Sequence, residues 1–216
     1  MNKINFLSRR ELSIDLSHRC ALECPRCQRQ FAFREKNIRV PGRDITMDEI
    51  KKCAKFYSYF NFCGQLSDAV HHPKFIEILE FCKQNNIGVE VHNASSTKSR
   101  DWYIKAFKAY SEARWVFGID GLPEQSHNYR VNQDGVKLFN IMLEARKYLK
   151  QKPHWQYIIF GYNENNVEKA IKIAKENNLI MVLLNTSRWQ SLNDPLMPKK
   201  KENIFIRKEL YEKAEA

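Results

Sequence analysis

A two-step pattern, repeated six times in order, constrains this chain most: a short apolar run, then a longer stretch whose apolar residues recur at helical spacing. Glu11–Leu16, Tyr59–Cys63, Ile87–Val91, Trp115–Ile119, Trp155–Phe160 and Ile180–Leu184 read as strands. A capping box, Thr46 with Glu49, opens a helix over Met47–Tyr57. Pro73 sits in the first turn of another, followed by Phe75, Ile76, Ile78, Leu79 and Phe81. Ser99 caps a helix through Tyr110, and Gln133–Lys150 and Asn165–Asn177 have helical spacing. A cysteine loop after the first strand leads into a basic stretch ending near Arg43. Strands alternating with helices dictate an α/β fold with a parallel sheet and right-handed crossovers. Six such units make either an open doubly wound sheet or an incomplete barrel. Both put the site at the carboxyl ends of the strands, on the loops that follow them. Those loops are the cysteine loop, Gly64–Asp68, His92–Ser96, Asp120–Arg130, Gly161–Asn163 and Asn185–Trp189.

With 216 residues, the chain reads as one domain: a core over 1–190 and a basic tail over 191–216, with Pro195 and Pro198, ending in a helix. A hydrophobic content of 43% excludes a disordered chain. No apolar run approaches the roughly 20 residues of a membrane span, and Met1–Arg10 carries no secretory apolar region. A cytoplasmic, reducing setting is therefore expected, in which clustered thiols bind metal or do redox chemistry. The net charge of +11 favours anionic partners, nucleic acid among them, although no RNA-binding motif is present.

Cys20, Cys24 and Cys27 form a C-x3-C-x2-C cluster directly after the first strand. Three thiolates on one loop can hold three irons of a 4Fe–4S cube and leave the fourth open to a ligand. Two other readings compete. Structural zinc needs a fourth ligand, for which His18 is the nearest candidate. Alternatively, Cys24 and Cys27 form a dithiol redox pair, which leaves Cys20 without a role. The zinc reading carries with it a non-catalytic module that binds nucleic acid through its basic face. Cys53, Cys63 and Cys82 read as packing residues.

The cysteine loop resembles the signature of the radical S-adenosylmethionine (SAM) enzymes. Phe62-Cys63-Gly64-Gln65-Leu66-Ser67-Asp68, followed by His72-Pro73-Lys74-Phe75, is similar to their second-strand segment. His92-Asn93-Ala94-Ser95 looks like their third-strand "T-N-G" segment. Phe117-Gly118-Ile119-Asp120-Gly121, then His127 and Arg130, is similar to the fourth-strand segment of peptide-modifying members. There are departures: Arg26 stands where an aromatic residue is common, Ala94 replaces Gly, Gly118 replaces Ser, and the cysteine-rich C-terminal extension is missing.

The resemblance implies a partial (β/α)6 TIM-like barrel with parallel strands and the cluster loop after strand 1. It implies a 4Fe–4S cluster on Cys20, Cys24 and Cys27, and SAM as cofactor, cleaved reductively to a 5′-deoxyadenosyl radical that abstracts hydrogen. On that basis the cofactor-binding candidates are Arg26, Gly64, Gln65, Ser67, Asp68, Asn93, Ser95, Asp120 and Ile158. Asp68 would accept from the SAM amino group, Asn93 and Ser95 would meet the ribose, and Ile158 would lie under the adenine. Asp68 also reads as a helix cap, Ser95 as a turn residue, and Asp120-Gly121 as a turn dipeptide. His127, Arg130, Arg188 and Trp189 are candidates for the substrate mouth. The expected partners are a peptide or small-molecule substrate and a single-electron donor protein. A nucleotide or RNA substrate is the alternative, and no membrane is involved.

Overall fold

The computed structural model describes residues 10–185, 191 and 193–203. Six strands, β1 (Glu11–Ser13), β2 (Tyr59–Phe62), β3 (Gly88–Asn93), β4 (Arg114–Gly118), β5 (His154–Ile159) and β6 (Ile180–Asn185), form one sheet. Every neighbouring pair is parallel, and the spatial order is the sequence order, β1 to β6. A doubly wound sheet reverses its strand order in the middle, which puts helices on both faces. Here the order never reverses, so right-handed crossovers keep every helix on one side and the sheet curls into a partial barrel. The helices are α1 (Gln28–Lys36), α2 (Met47–Cys53), α3 (Phe75–Gln84), α4 (Arg100–Ala109), α5 (Gly135–Ala145) and α6 (Val167–Glu176).

Strand alternation sorts the sheet into two unlike faces. Phe60, Phe62, Val89, Val91, Trp115, Phe117, Trp155 and Tyr157 belong to the buried core with the helices. Its centre is aromatic: Phe107 meets the Trp115 ring edge-on at 4.9 Å, and Phe75 packs against Trp102 and Trp115. The alternate positions on the other face carry polar residues, Asn61, Glu90, His92, Arg114, His154 and Gln156, with the apolar Val116 and Ile158 toward the carboxyl end of the strands. Most parallel strands are apolar on both faces because helices cover both. Here only one face carries helices, and the concave face is left for polar groups.

On that concave face Glu90 bridges two partners. It accepts from Arg114 Nη1 at 3.0 Å and pairs with His92 Nε2 at 2.7 Å. His154 lies beside them, 5% exposed. Burial, and then the Arg114 charge, push its pKa down to about 4. The unfolded chain protonates this group near pH 6.5. Between that value and about 4 the unfolded chain therefore binds more protons than the folded one. The stabilisation is complete above pH 6.5 and falls away as the pH drops through that window, by up to about 3 kcal/mol. Urea unfolding at pH 7.5 and pH 5 should show this loss, and His154→Gln should flatten it.

Local signals set the helix ends. Glu49 N–H donates to Thr46 Oγ1 at 3.3 Å and Thr46 N–H to Glu49 Oε2 at 2.9 Å, the reciprocal box expected for α2. Ser99 accepts from Trp102 N–H and caps α4. Asn86 and Asn178, both with φ of 54°, close α3 and α6 in left-handed turns. The helices are shorter than the periodicity predicts: α2 stops at Cys53 and α5 at Ala145. The basic stretch contains an unexpected helix, α1, none of whose residues is buried. No apolar stripe marked it because it has no core to face. Among the described residues no helix is long and apolar enough to cross a membrane.

The described part of the expected tail lies against the core. Gly161 N–H donates to Leu196 O at 3.0 Å, and the Glu164 carboxylate accepts from the Lys199 and Lys200 amides. The helix expected at the end of the chain lies outside the described residues.

Candidate functional site

The cysteine loop leaves β1 and is tied to the segments after β2 and β4. Asp68 N–H donates to Arg19 O at 3.0 Å, and Glu23 N–H to Val131 O at 3.1 Å. The loop lies on a small apolar cluster separate from the main core: Leu22, Cys24, Tyr129, Ile158 and Phe160, with Cys20 and Cys27 packed against it. Cys27 is the residue before α1 and its side chain makes no capping bond. The positive end of that helix dipole therefore lies at the cysteine loop, where it favours an anionic group.

All three thiols line one cavity of about 280 Å³ at the carboxyl end of the sheet. Burial, and then the Asp68 charge, raise the Cys20 pKa to about 12. Burial also raises Cys24, against the pull of the Arg130 guanidinium facing it. A bound metal reverses this, because the cation holds the thiolate form.

The donor set tests what such a site can hold. Among the described residues no three His, Cys, Asp or Glu side chains are grouped so as to hold a single metal ion. A cube asks something different: each thiolate binds its own iron, so the sulfurs face one cavity without meeting at a point. Three cysteines around one cavity fit a cluster of this kind, as does Arg29, whose buried Nε–H has no partner there.

The turn after β2 forms a second wall, made by Gly64, Gln65, Leu66, Ser67 and Asp68. Asp15, just past β1, shapes it: its carboxylate accepts from Gln65 N–H at 3.1 Å and Ser67 Oγ at 2.7 Å. Gly64 has φ of 46°, and a Cβ there would stand 2.2 Å from Ser67 O. Gly64→Ala should cost about 1–3 kcal/mol in a denaturant midpoint, since backbone must move to admit it.

Asp68 is spent mostly on the scaffold. It accepts from Ala94 and Ser95 N–H at 2.8 Å each and from Val70 N–H at 3.3 Å, so it both caps a short turn and clamps the loop after β3. It still lines the cavity. Asn93 also lines it, while donating to Tyr103 Oη and accepting from Ser95 N–H.

Gly118 and Arg130 complete the wall together. Arg130 Nη2 passes 3.1 Å from where a Cβ on Gly118 would be, so the missing side chain makes room for the guanidinium. Arg130 Nε donates to Asp120 at 2.7 Å. Burial opposes the Arg130 charge, but Asp120 more than restores it. Ile158 lines the far side, and its N–H donates to Asp120 Oδ1 at 2.8 Å.

Four expected site residues do not line this cavity. Arg26 forms an ion pair with the buried Asp194 instead. Ser95 is fully buried, with its hydroxyl on His71 and Thr97. Asp120 lies beneath the wall, paired with Arg130. His127 is exposed at the surface. Arg188 and Trp189 lie outside the described residues. Conversely, Leu22, Arg29, His92, Val116, Gln156 and Leu184 line the cavity without having been singled out as site residues. Strand alternation carried a signal for some: Val116 precedes Gly118, and Gln156 precedes Ile158, by one period of two.

The fold is that of the radical SAM enzyme core, and the likeness to solved radical SAM enzymes runs over about nine tenths of the chain. Methylornithine synthase (PylB) matches with a TM-score of 0.63 at 12% identity, over 92% of this chain and 59% of its own. SuiB of Streptococcus suis, solved bound to S-adenosylmethionine, matches with a TM-score of 0.66 at 11% identity, over 89% of this chain and 44% of its own. The structure of anSMEcpe with bound AdoMet matches with a TM-score of 0.59 at 18% identity, over 87% of this chain and 55% of its own. The chain thus spans about half the length of these proteins. No protein-family model and no curated protein matches the sequence.

Proposed function

We propose that this chain is a radical SAM enzyme, with a 4Fe–4S cluster on Cys20, Cys24 and Cys27 and SAM in the same cavity, acting on a peptide or small molecule. One observation carries the reading. The three cysteines, the turn after β2, Asn93, Arg130 and Ile158 come from separate loops and strands, yet line a single cavity at the carboxyl end of a parallel barrel. When bound, the cluster and SAM would supply a radical able to break an unactivated C–H bond.

The chain's own residues would bind and orient. Gly64 lets the backbone of the second loop approach closely, and Gln65 and Ser67 extend polar groups beside it. Asp68 supplies negative charge for the cofactor's amino group while fixing the loop after β3. Asn93 would offer a polar group to the ribose, and Ile158 an apolar surface to the base. Arg29 and Arg130 supply positive charge for carboxylate or thiolate. The polar concave face, with His92 and Gln156 on the cavity wall, suits a substrate with hydrogen-bonding groups. SuiB has been solved with a precursor peptide, which supports a peptide here as one substrate class. The reading predicts that anaerobic reconstitution yields the iron and sulfide of a cube, with its broad visible absorbance, and that SAM addition perturbs that spectrum. Uptake of zinc with no cluster would overturn it.

A further inference from the structure

We propose that α1 and the segment after it form the docking surface of an acidic one-electron carrier protein, which delivers its electron past Cys20. The inference rests on the function proposed above, since that chemistry consumes an electron the chain itself does not supply.

Four observations converge. First, α1 buries no residue. Of the five large hydrophobic side chains exposed among the described residues, three lie within eight positions here: Phe31 at 42%, Phe33 at 45% and Ile38 at 50%. Second, the segment from Gln28 to Arg43 carries Arg29, Arg34, Lys36, Arg39 and Arg43 against Glu35. Among the described residues, Arg34, Lys36 and Arg39 are exposed and form no ion pair with a carboxylate, and the Arg39 guanidinium lies over the Phe33 ring. Third, α1 starts directly after Cys27. Fourth, a second cavity of about 390 Å³ opens beside this face, and Cys20 and Arg29 are in its wall as well as in that of the main cavity.

An apolar centre rimmed by unneutralised charge of one sign is the pattern of an encounter surface that selects a partner of opposite charge and speeds its arrival. Its place directly after the cysteine loop, with Arg34, Lys36 and Arg39 outside the wall of the main cavity, suits a partner that needs the cluster rather than the substrate. One electron leaves the reduced carrier, which is oxidised by one electron, and the oxidised cluster is reduced by one. No proton or bond is exchanged.

The test uses the full chain with its cluster and, as probe, an acidic flavodoxin in its fully reduced form, with dithionite as a small-molecule control. The triple variant R34E/K36E/R39E alters exposed side chains only. The expected result is a fall of about tenfold or more in the rate of cluster reduction by flavodoxin at low salt. Unchanged reduction by dithionite, an unchanged melting temperature and a wild-type rate that drops steeply with ionic strength are expected with it. An unchanged flavodoxin rate, or an equal loss with dithionite, would overturn the proposal. So would loss of binding to a single-stranded RNA oligomer with the flavodoxin rate intact. Binding of oxidised flavodoxin, followed by calorimetry, needs no cluster. Failure to bind therefore counts against the docking surface alone, whereas failure to assemble a cluster counts against the proposed function.

Discussion

Replacing any one of Cys20, Cys24 or Cys27 by alanine should abolish cluster assembly and reduce SAM cleavage to the background of the cluster-free chain, whereas Cys82→Ala should leave the cluster in place. The contrast follows from position. The first three share one cavity wall. Cys82 is fully buried in α3 within the main core. Each of the three thiolates would hold a separate iron, so none can stand in for another. The dithiol reading predicts instead that Cys20→Ala keeps activity while the other two lose it. Iron content and product formation on the single variants decide between the two. Cys82→Ala loses packing, and its cost should be seen in the denaturant midpoint and not in iron content.

The largest stability effect should come from Arg130→Met. Asp120 is 0% exposed and Arg130 is its charged partner at 2.7 Å. Removing the guanidinium takes away the charge that lies 2.7 Å from a buried carboxylate, and breaking such a pair costs about 3–5 kcal/mol. That is a large share of the stability of an ordinary domain. Arg130→Met with Asp120→Asn should recover part of the loss, since the amide can keep accepting from Ile158 N–H without a charge to bury. Arg19→Met, which breaks an exposed pair with Asp44, should cost less than about 1 kcal/mol by the same urea titration. Equal losses for Arg130 and Arg19 would contradict the account of a buried ion pair in the wall.

Much of this was legible in the sequence, and the reasons are particular. Strand and helix order followed from periodicity because each helix except α1 packs an apolar stripe on the sheet, and the stripe is the signal. Thr46, Glu49 and Ser99 announced helix starts because their side chains bond their own backbone, a local event that needs no knowledge of the fold. Periodicity alone leaves a doubly wound sheet and a barrel equally open because both share the same local pattern; the motif resemblance points to the barrel, and the spatial order of the strands bears it out. The cysteine loop and the turn at Gly64 were legible as short motifs.

What escaped notice was tertiary. Asp15 reads as a polar residue near the end of a strand, and its role in shaping the turn after β2 depends on two segments about 50 positions apart meeting. Ser95 and Asp120 carry the residue types a cofactor would want, but the fold turns both toward backbone and side-chain partners of its own. Arg26 was expected at the cofactor because of its place between two cysteines, but Asp194, 168 residues away, takes it. α1 was missed because a helix that faces no core leaves no hydrophobic stripe in the sequence, and that same exposure makes it a docking surface.

The most direct test of the central claim is the product of SAM cleavage. The chain is reconstituted anaerobically with iron and sulfide, reduced with dithionite and given SAM, and 5′-deoxyadenosine is followed by chromatography beside the triple Cys20→Ala/Cys24→Ala/Cys27→Ala variant. The account predicts deoxyadenosine from the intact chain and none from the variant. Deoxyadenosine at equal rates from both, or a chain that assembles its cluster, accepts the electron, binds SAM and leaves it intact with every candidate substrate class, would contradict it.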